Sequence, residues 1–351
     1  RLVGSEMCIR DRYDVDVQTI ASDTATSRSH DVSHHAVSPE SARLPNTVDS
    51  DAPLRVAVGW DTTSSEAVEF AAWLGRSLPA KVQVMASAQL PPIQALTTSA
   101  KSRKKQLKKM REEFHKRVVD ELDGQIPKSQ WSKEVATLKD GKDTVRSLLD
   151  NALEFNADLI VMGSRAKSPK GRLRPSSVTD EMLYSSPIPL GLAPRGVKLS
   201  KKGITRVTYA VVDTDGKKEP EFYGLDYATA LACALHLPLR IIAFSPTSYD
   251  EHGPKWYERT LGMLDHARDR AWEYACELSP DRLDHFDVTS SVSTGKSWKR
   301  SIDSVKWRKG DIMCLGSQPS PNLRTVFLGT LEGEFIRYAP VPVIVCPEAA
   351  K

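Results

Sequence analysis

The feature that most constrains the fold of this chain is an internal repeat with a constant offset. From Leu54 onward, short apolar runs alternate with amphipathic helical patterns, and the same order returns after residue 203. Segments that keep one spacing over many elements indicate that each copy is one structural unit. The landmarks that share an offset of 152 or 153 residues are Asp61 with Asp213, Gly163 with Gly316, and Pro194 with Pro347.

Each copy contains five short apolar runs that are typical of strands, with helical patterns between them. Near-continuous apolar strands separated by helices predict a parallel sheet that is covered on both faces. We therefore expect an α/β fold with two tandem Rossmann-like domains, at residues 53–197 and 203–351, each a five-stranded parallel sheet with helices on both faces. The predicted strands are 55–59, 82–87, 133–138, 159–163, 188–193, 206–212, 239–244, 285–292, 312–316 and 341–346.

Residues 1–52 form a different kind of segment. They are rich in Ser, Thr, Asp and Ala and show no sustained period of 2 or 3.6, which predicts a disordered tail. We interpret residues 1–12, which do not begin with Met, as a cloning- or sequencing-derived extension rather than native protein. His30, His34 and His35 lie in this tail without a partnering frame, so solvated side chains are favoured over a metal site.

Composition limits the partners and the compartment. The net charge of +4 is small for 351 residues, so charge balance alone makes neither nucleic acid nor a membrane an expected partner. No apolar run approaches the roughly 20 residues that cross a bilayer, and the first 30 residues contain no secretory apolar core. The five cysteines are scattered, which indicates neither a disulfide framework nor a zinc site and favours a reducing cytoplasm.

Candidate binding residues follow the first and the fourth strand of each copy. Parallel sheets bind ligands at the carboxyl ends of their strands, where the strand order reverses. Asp61 and Asp213 end the first strands, and a carboxylate there can accept hydrogen bonds from an exocyclic amine or a ribose hydroxyl. The loops that begin at Gly163 and Gly316 lead into helix N-termini, which attract anions.

The spacing in these two loops resembles that of nucleotide-binding members of the universal stress protein family. Their pattern is Gly, two residues, Gly, nine residues, Gly, then Ser or Thr. The first loop has Gly163, Ala166, Ser176 and Ser177 at these positions; the second has Gly316, Pro319, Gly329 and Thr330. The resemblance covers residues 53–347. It implies ATP, with Mg²⁺ held through the phosphates, at Asp61, Gly163, Arg165, Ala166, Ser176, Ser177, Asp213, Gly316, Gly329 and Thr330.

Both loops also depart from the family pattern, so alternative functions stay open. Pro319 replaces a glycine, removes an N–H donor and fixes φ at about −65°. The first loop keeps Gly171 and carries cations that favour a polyphosphate: Arg165, Lys167, Lys170, Arg172 and Arg174. The favoured function is an adenine-nucleotide-responsive regulatory module of the stress response. The alternative is a family member that has lost nucleotide binding and acts through protein partners.

An enzyme is the least favoured class. The histidines after the tail show no repeated partner, and no catalytic base with an orienting group stands out. Slow ATP hydrolysis would rest on analogy with the wider fold alone.

The resemblance also implies how the copies meet, because the last strands of two such domains pair in the family. Ile188 and Leu190 in the first copy and Val341, Val343, Ile344 and Val345 in the second are the strand residues concerned. We expect an intramolecular pseudo-dimer or a homodimer.

A run of cations lies on the predicted helix 100–122. Such a run is most often a solvated helix face, but it can also dock an acidic partner, a nucleic acid backbone or anionic lipid. Seven cations fall within eleven residues: Lys101, Arg103, Lys104, Lys105, Lys108, Lys109 and Arg111.

Overall fold

A computed structural model of the chain describes residues 52–88, 99–141, 143–212, 222, 224–278, 286–316 and 330–346. The predictions for the tail, including its three histidines, lie outside these residues. So do those for Asp213, Pro319 and Gly329.

We call residues 52–197 the first half and residues 203–346 the second half. The elements of the first half are β1 (Leu54–Gly59), α1 (Glu66–Gly75), β2 (Ala80–Ala88), α2 (Ala100–Leu122), a 3-10 turn (Lys128–Gln130), β3 (Trp131–Asp140), α3 (Thr144–Glu154), β4 (Leu159–Gly163), α4 (Ser177–Met182) and β5 (Leu190–Ala193). Those of the second half are β6 (Arg206–Val212), α5 (Leu225–Leu235), β7 (Leu239–Ser245), α6 (Tyr249–His252), α7 (Pro254–Leu278), β8 (Val288–Thr294), α8 (Trp298–Asp303), β9 (Asp311–Gly316), α9 (Thr330–Ile336) and β10 (Val343–Cys346).

The ten strands form one sheet in the order β3-β2-β1-β4-β5-β10-β9-β6-β7-β8. Within each half all strand pairs are parallel. The halves join where β5 and β10 pair antiparallel, with Val343 opposite Leu192 and Val345 opposite Leu190. The α/β prediction is confirmed, and the two five-stranded sheets are joined edge to edge into a single sheet.

Helices cover both faces of this sheet, and each face has its own apolar core. One core contains side chains of α1, α2, α5 and α7, and the other contains side chains of α3, α4, α8 and α9. Both cores draw on both halves, so the packing is continuous across the β5–β10 junction.

The largest difference from the predicted strands concerns β8. The sequence predicts residues 285–292, whereas the strand runs from Val288 to Thr294. Its polar end is stable because the buried Ser293 hydroxyl donates to the Ser301 carbonyl at 2.8 Å, and the Ser301 hydroxyl donates to the Ser293 carbonyl at 2.7 Å. Hydropathy could not reveal this exchange, because its partners lie on a separate helix. The short helix α6 was also absent from the predicted elements.

Candidate functional site

A cavity of about 370 Å³ opens at the carboxyl end of β1, where the β1–α1 turn faces the loop after β4. This is the end of the sheet at which the sequence places the ligand. Its walls come from the β1–α1 turn, the end of α2, the loop after β4 and Arg195, which lies two residues after the end of β5. The lining residues are Trp60, Thr62, Thr63, Ser64, Ser65, Glu66, Glu121, Ala166 and Arg195.

The β1–α1 turn is closed by Asp61 and is strained at Thr62. Oδ1 of Asp61 accepts from the backbone N–H of Thr63 at 2.9 Å and from its hydroxyl at 2.7 Å. Thr62 has φ +64°, which a β-branched residue rarely adopts, and its hydroxyl accepts from Nη1 of Arg117 at 3.1 Å. This turn therefore has a backbone conformation that glycine favours, although the residue is threonine.

Trp60 fixes this turn against the long helix. Its side chain is 8% exposed, and its Nε1 donates to the carbonyl of Ser64 at 2.7 Å. Its ring centroid lies 6.4 Å from that of Phe114 on α2. The wall of the cavity is therefore an anchored aromatic side chain with a satisfied N–H.

The loop after β4 folds back on itself beside the cavity. Gly163 ends β4 opposite the start of α1, and a Cβ placed there would lie 3.5 Å from Oγ of Ser64. The hydroxyl of Ser164 accepts from the N–H of Arg174 at 3.2 Å, and the N–H of Arg165 donates to the carbonyl of Arg174 at 2.9 Å. These bonds hold Ala166 in the cavity wall.

Arg195 fastens this loop from within the first half. Its Nη1 donates to the carbonyl of Ser168 at 2.5 Å, and its own carbonyl accepts from the N–H of Gly171 at 2.7 Å. Nε of Arg195 lies 3.9 Å from Oε1 of Glu66. Among the described residues, the buried Oε2 of Glu66 has no hydrogen-bond partner. The cavity thus contains a carboxylate and a guanidinium side by side.

Arg172 ties the same loop to the second half. Its Nη1 donates to the carbonyl of Tyr338 at 2.6 Å, and its Nη2 lies 3.0 and 3.3 Å from the carboxylate oxygens of Asp303. Burial raises the pKa of Asp303, but hydrogen bonds from Lys299 and Arg172 outweigh it, so the pKa is lowered overall. The guanidinium of Arg172 already binds protein groups, so the predicted contact with a phosphate would have to displace these bonds.

The other predicted residues of the first loop differ in whether their side chains are exposed or hydrogen-bonded within the protein. Arg165 and Ser177 are exposed, as are Lys167, Lys170 and Arg174. The hydroxyl of Ser176 accepts from the N–H of Thr179 at 3.1 Å and so caps α4. Serine is a preferred N-cap residue, which gives Ser176 a structural role at the place where the family has its third glycine.

In the second half, the described part of the site consists of the residues around Gly316. Gly316 ends β9, and Thr330 begins α9. Gly224 has φ +82°, and a Cβ there would lie 3.0 Å from Cβ of Cys346 and 3.2 Å from the nitrogen of Gly316. The end of the fourth strand thus faces the start of the first helix in both halves. Within the described ranges, no three His, Cys, Asp or Glu side chains gather as a metal site.

The second half contains a Ser–His pair that is not predicted from the sequence. Oγ of Ser245 and Nε2 of His252 lie 2.6 Å apart, and Oγ also accepts from the N–H of Thr247 at 3.2 Å. The His252 ring stacks on Trp256 with 3.7 Å between centroids. Since Ser245 is 1% exposed, its hydroxyl cannot reach a substrate and instead closes the turn after β7. No periodicity in the sequence indicates this pair.

Comparisons with known proteins agree with the geometry. A family model described as the universal stress protein family matches residues 54–193. Universal stress proteins of Mycobacterium bovis and Mycobacterium tuberculosis are each 30% identical over 201 residues, which are 57% of this chain and 68% of the relative. The crystal structure of a universal stress protein from Archaeoglobus fulgidus aligns with a TM-score of 0.55 at 17% identity, covering 84% of this chain and 98% of that one.

None of the helices in the described ranges is both long and apolar enough to cross a membrane.

Proposed function

The chain belongs to the universal stress protein family, and on this premise we propose that it is a regulatory module whose first half binds an adenine nucleotide. The observation that carries the proposal is the cavity between the β1–α1 turn and the loop after β4. It lies at the carboxyl ends of adjacent parallel strands, where α/β proteins bind their ligands. The proposed location is the cytoplasm, and the proposed role is regulation rather than catalysis.

The residues around the cavity fit a nucleotide in the following way. Asp61 lies beside the lining residues in the β1–α1 turn, is exposed and uses Oδ1 within its own turn; its second carboxylate oxygen would accept from an adenine amine or a ribose hydroxyl. The exposed cations Arg165, Lys167 and Arg174 supply positive charge for phosphates on the other side. ATP would bring Mg²⁺ through its own phosphates.

A specific observation favours the alternative function, a member that acts through protein partners without a nucleotide. Several groups that would bind phosphates are already used within the protein. The side chains of Arg172 and Ser176 are bonded, and so are the N–H groups of Arg165 and Gly171. A nucleotide would have to bind to the remaining donors or displace these bonds.

Calorimetric titration of the gently purified full chain with ATP, with and without Mg²⁺, separates the two functions. Heat of binding and nucleotide extracted from the purified protein would support the proposal. Protein free of nucleotide and no heat at millimolar ATP would overturn it and leave the partner-binding function.

Variants of Ala166 locate the site. Ala166→Phe should abolish binding, because it fills the cavity wall, whereas Ala166→Gly should tighten binding by restoring the family's middle glycine. Ser129→Phe adds the same ring at an exposed position away from the cavity and should leave affinity unchanged. Equal affinity in Ala166→Phe and Ser129→Phe would place the nucleotide elsewhere.

A further inference from the structure

The outward face of α2 concentrates positive charge that no neighbouring group neutralises fully. We call Lys101, Lys104, Lys105, Lys108 and Lys109 the lysine face. All five side chains are exposed, and those of Lys108 and Lys109 are 78% and 77% accessible. On a helix with 3.6 residues per turn, these positions fall on one side.

The second part of α2 holds the helix to the sheet. Phe114, Val118 and Leu122 are buried there, in the last turns. Towards the N-terminus, Arg103 donates to Asp140 at 2.6 Å and Arg111 donates to the carbonyl of Leu138 at 3.0 Å. The two arginines of the run are therefore used for docking onto β3, and the lysines point away from the protein.

The lysine face breaks two rules of helix stability at once. Lys101 with Lys105, Lys104 with Lys108, and Lys105 with Lys109 are like charges at the i,i+4 spacing, which repel. The first turn of α2 contains no acidic residue, although the helix dipole disfavours cations there. Charge interactions that destabilise a helix, without a compensating contact elsewhere in the protein, are typical of a functional surface.

Intramolecular partners relieve only part of this charge. Lys108 lies 3.9 Å from Glu112 and Lys109 lies 3.6 Å from Glu113, and exposed pairs of this kind are weak. In the part of the chain that the structure describes, no carboxylate lies within 4.0 Å of the ammonium groups of Lys101, Lys104 or Lys105. A polyanion would relieve both the repulsion and the unfavourable dipole.

The chemistry of the face distinguishes among polyanions. Protein interfaces are enriched in aromatic residues and Arg and depleted in Lys, whereas this face is made of lysines alone. The large exposed apolar side chains of the described residues lie elsewhere, at Leu153, Tyr184, Tyr249, Leu261 and Trp272, so α2 offers no group for insertion into lipid. Lysines without Arg forks or stacking rings suit contacts to phosphates and not to bases.

We propose that the lysine face binds the phosphate backbone of nucleic acid without sequence preference. The proposal is independent of nucleotide binding in the cavity. It also revises, for one surface, the expectation drawn from the small net charge, because clustering on one helix raises the local potential even when the total charge is small.

The test measures fluorescence anisotropy of labelled DNA duplexes of about 20 base pairs with the full chain, starting at about 50 mM salt. We expect two unrelated duplex sequences to bind with equal affinity. With five phosphate contacts, the logarithm of the association constant should fall with the logarithm of the salt concentration with a slope of about −4.5, which is about −0.9 per contact. Replacing all five lysines with Gln should abolish binding, and Lys105→Gln alone should make the slope less steep by about 0.9.

A matched control separates the face from the total charge. Replacing the exposed Lys201, Lys202, Lys296, Lys306 and Lys309 with Gln removes the same charge elsewhere and should leave binding unchanged. The five-fold α2 variant should have a higher melting temperature than wild type, because the repulsion is gone; this also shows that it folds. If a variant nevertheless fails to fold, the salt slope of Lys105→Gln decides.

Three results would overturn the proposal. The first is no duplex binding at low salt. The second is an equal loss of binding in the α2 variant and in the control. The third is binding to phosphatidylserine vesicles or to polyglutamate as tight as to DNA, which would identify a general response to negative charge.

Discussion

The helices α2 and α7 occupy the same position in the two halves, each between the second and third strands, but they pack differently. Buried residues recur along the whole of α7, at Trp256, Thr260, Leu264, Ala267, Ala271 and Ala275. In α2 the buried residues are Phe114, Val118 and Leu122, all in its second part. The repeated sheet therefore sets where the helix lies, while each helix sequence sets how much of its length is buried.

The two halves also differ in the contacts made at the start of their fourth strands. Asp158 precedes β4 and Asp311 begins β9, at the repeat offset. Asp311 is 0% exposed and binds both Nε and Nη2 of Arg206, at 3.1 and 2.6 Å, and the N–H of Arg308 at 2.9 Å. Asp158 is half-buried and accepts the N–H of Arg55 at 2.8 Å. One position thus serves as a buried ion pair in one half and as a backbone acceptor in the other.

Replacing these two aspartates with asparagine should show the largest difference between the halves. Asp311→Asn removes the buried negative charge beside Arg206, whose side chain is 18% exposed, and should lower the free energy of unfolding by about 3 kcal/mol, the low end for a broken buried pair. Asp158→Asn keeps a carbonyl oxygen for the N–H of Arg55 and should cost about 1 kcal/mol or less. Urea titrations of both variants measure the difference, and similar losses would contradict it.

The pH dependence of Asp158→Asn sharpens this test. Burial raises the pKa of Asp158, against the lowering effects of the backbone N–H and the charge of Arg55. The folded wild type therefore holds this proton more tightly than the unfolded chain does. Its contribution is favourable at low pH and is lost as pH rises through the folded pKa. The free energy of unfolding of Asp158→Asn, taken relative to that of wild type at the same pH, should therefore be higher at neutral pH than at acidic pH.

The second prediction concerns the long helices themselves. Leu264→Ala in α7 removes a fully buried side chain and should lower the free energy of unfolding by about 3 kcal/mol. Leu107→Ala removes a half-buried side chain from the first part of α2 and should cost less than about 1 kcal/mol. Thermal and urea unfolding compare the two, and an equal cost would mean that α2 is packed along its whole length.

The third prediction concerns the turns before the first helices. Gly224→Ala combines positive φ with close contacts to Cys346 and Gly316 and should cost about 1–2 kcal/mol. Thr62→Gly should instead stabilise the protein by about 0.5 kcal/mol: relief of about 1–2 kcal/mol of strain exceeds a backbone entropy cost of about 0.5–1 kcal/mol. Changes of opposite sign in the free energy of unfolding of the two variants would confirm the contrast. Destabilisation by Thr62→Gly would indicate that the hydrogen bond from Arg117 outweighs the strain.

The strands and the long helices were predictable from the sequence because apolar periodicity determines them. Leu159–Gly163 is an uninterrupted apolar run, Arg206–Val212 is apolar except for Arg206 and Thr208, and both strands have the predicted bounds. The contacts of individual site residues were not predictable. Arg172 binds groups 131 and 166 residues away, and no local pattern distinguishes it from its exposed neighbour Arg174. The N-cap role of Ser176 was available from helix rules but conflicted with the family pattern.

The smallest predicted effect on stability concerns Arg172, through which the second half holds the loop after β4. Arg172→Ala should lower the free energy of unfolding by less than about 1 kcal/mol, because the pair with Asp303 is partly exposed. Hydrogen exchange in residues 164–175 should nevertheless become faster, because the loop then loses its hydrogen bonds to the second half. The lowered pKa of Asp303 keeps the pair charged at neutral pH, and the pair should be lost only as pH falls through that pKa, below 3.8.

Lys299→Ala provides the matched control for this last variant. Lys299 donates to the same carboxylate at 2.7 Å from within α8, four residues earlier in the same helix. Both variants should therefore raise the pKa of Asp303, measured by NMR titration, whereas only Arg172→Ala should speed exchange in the loop. Equal exchange in both variants would mean that the first half holds its loop without the second.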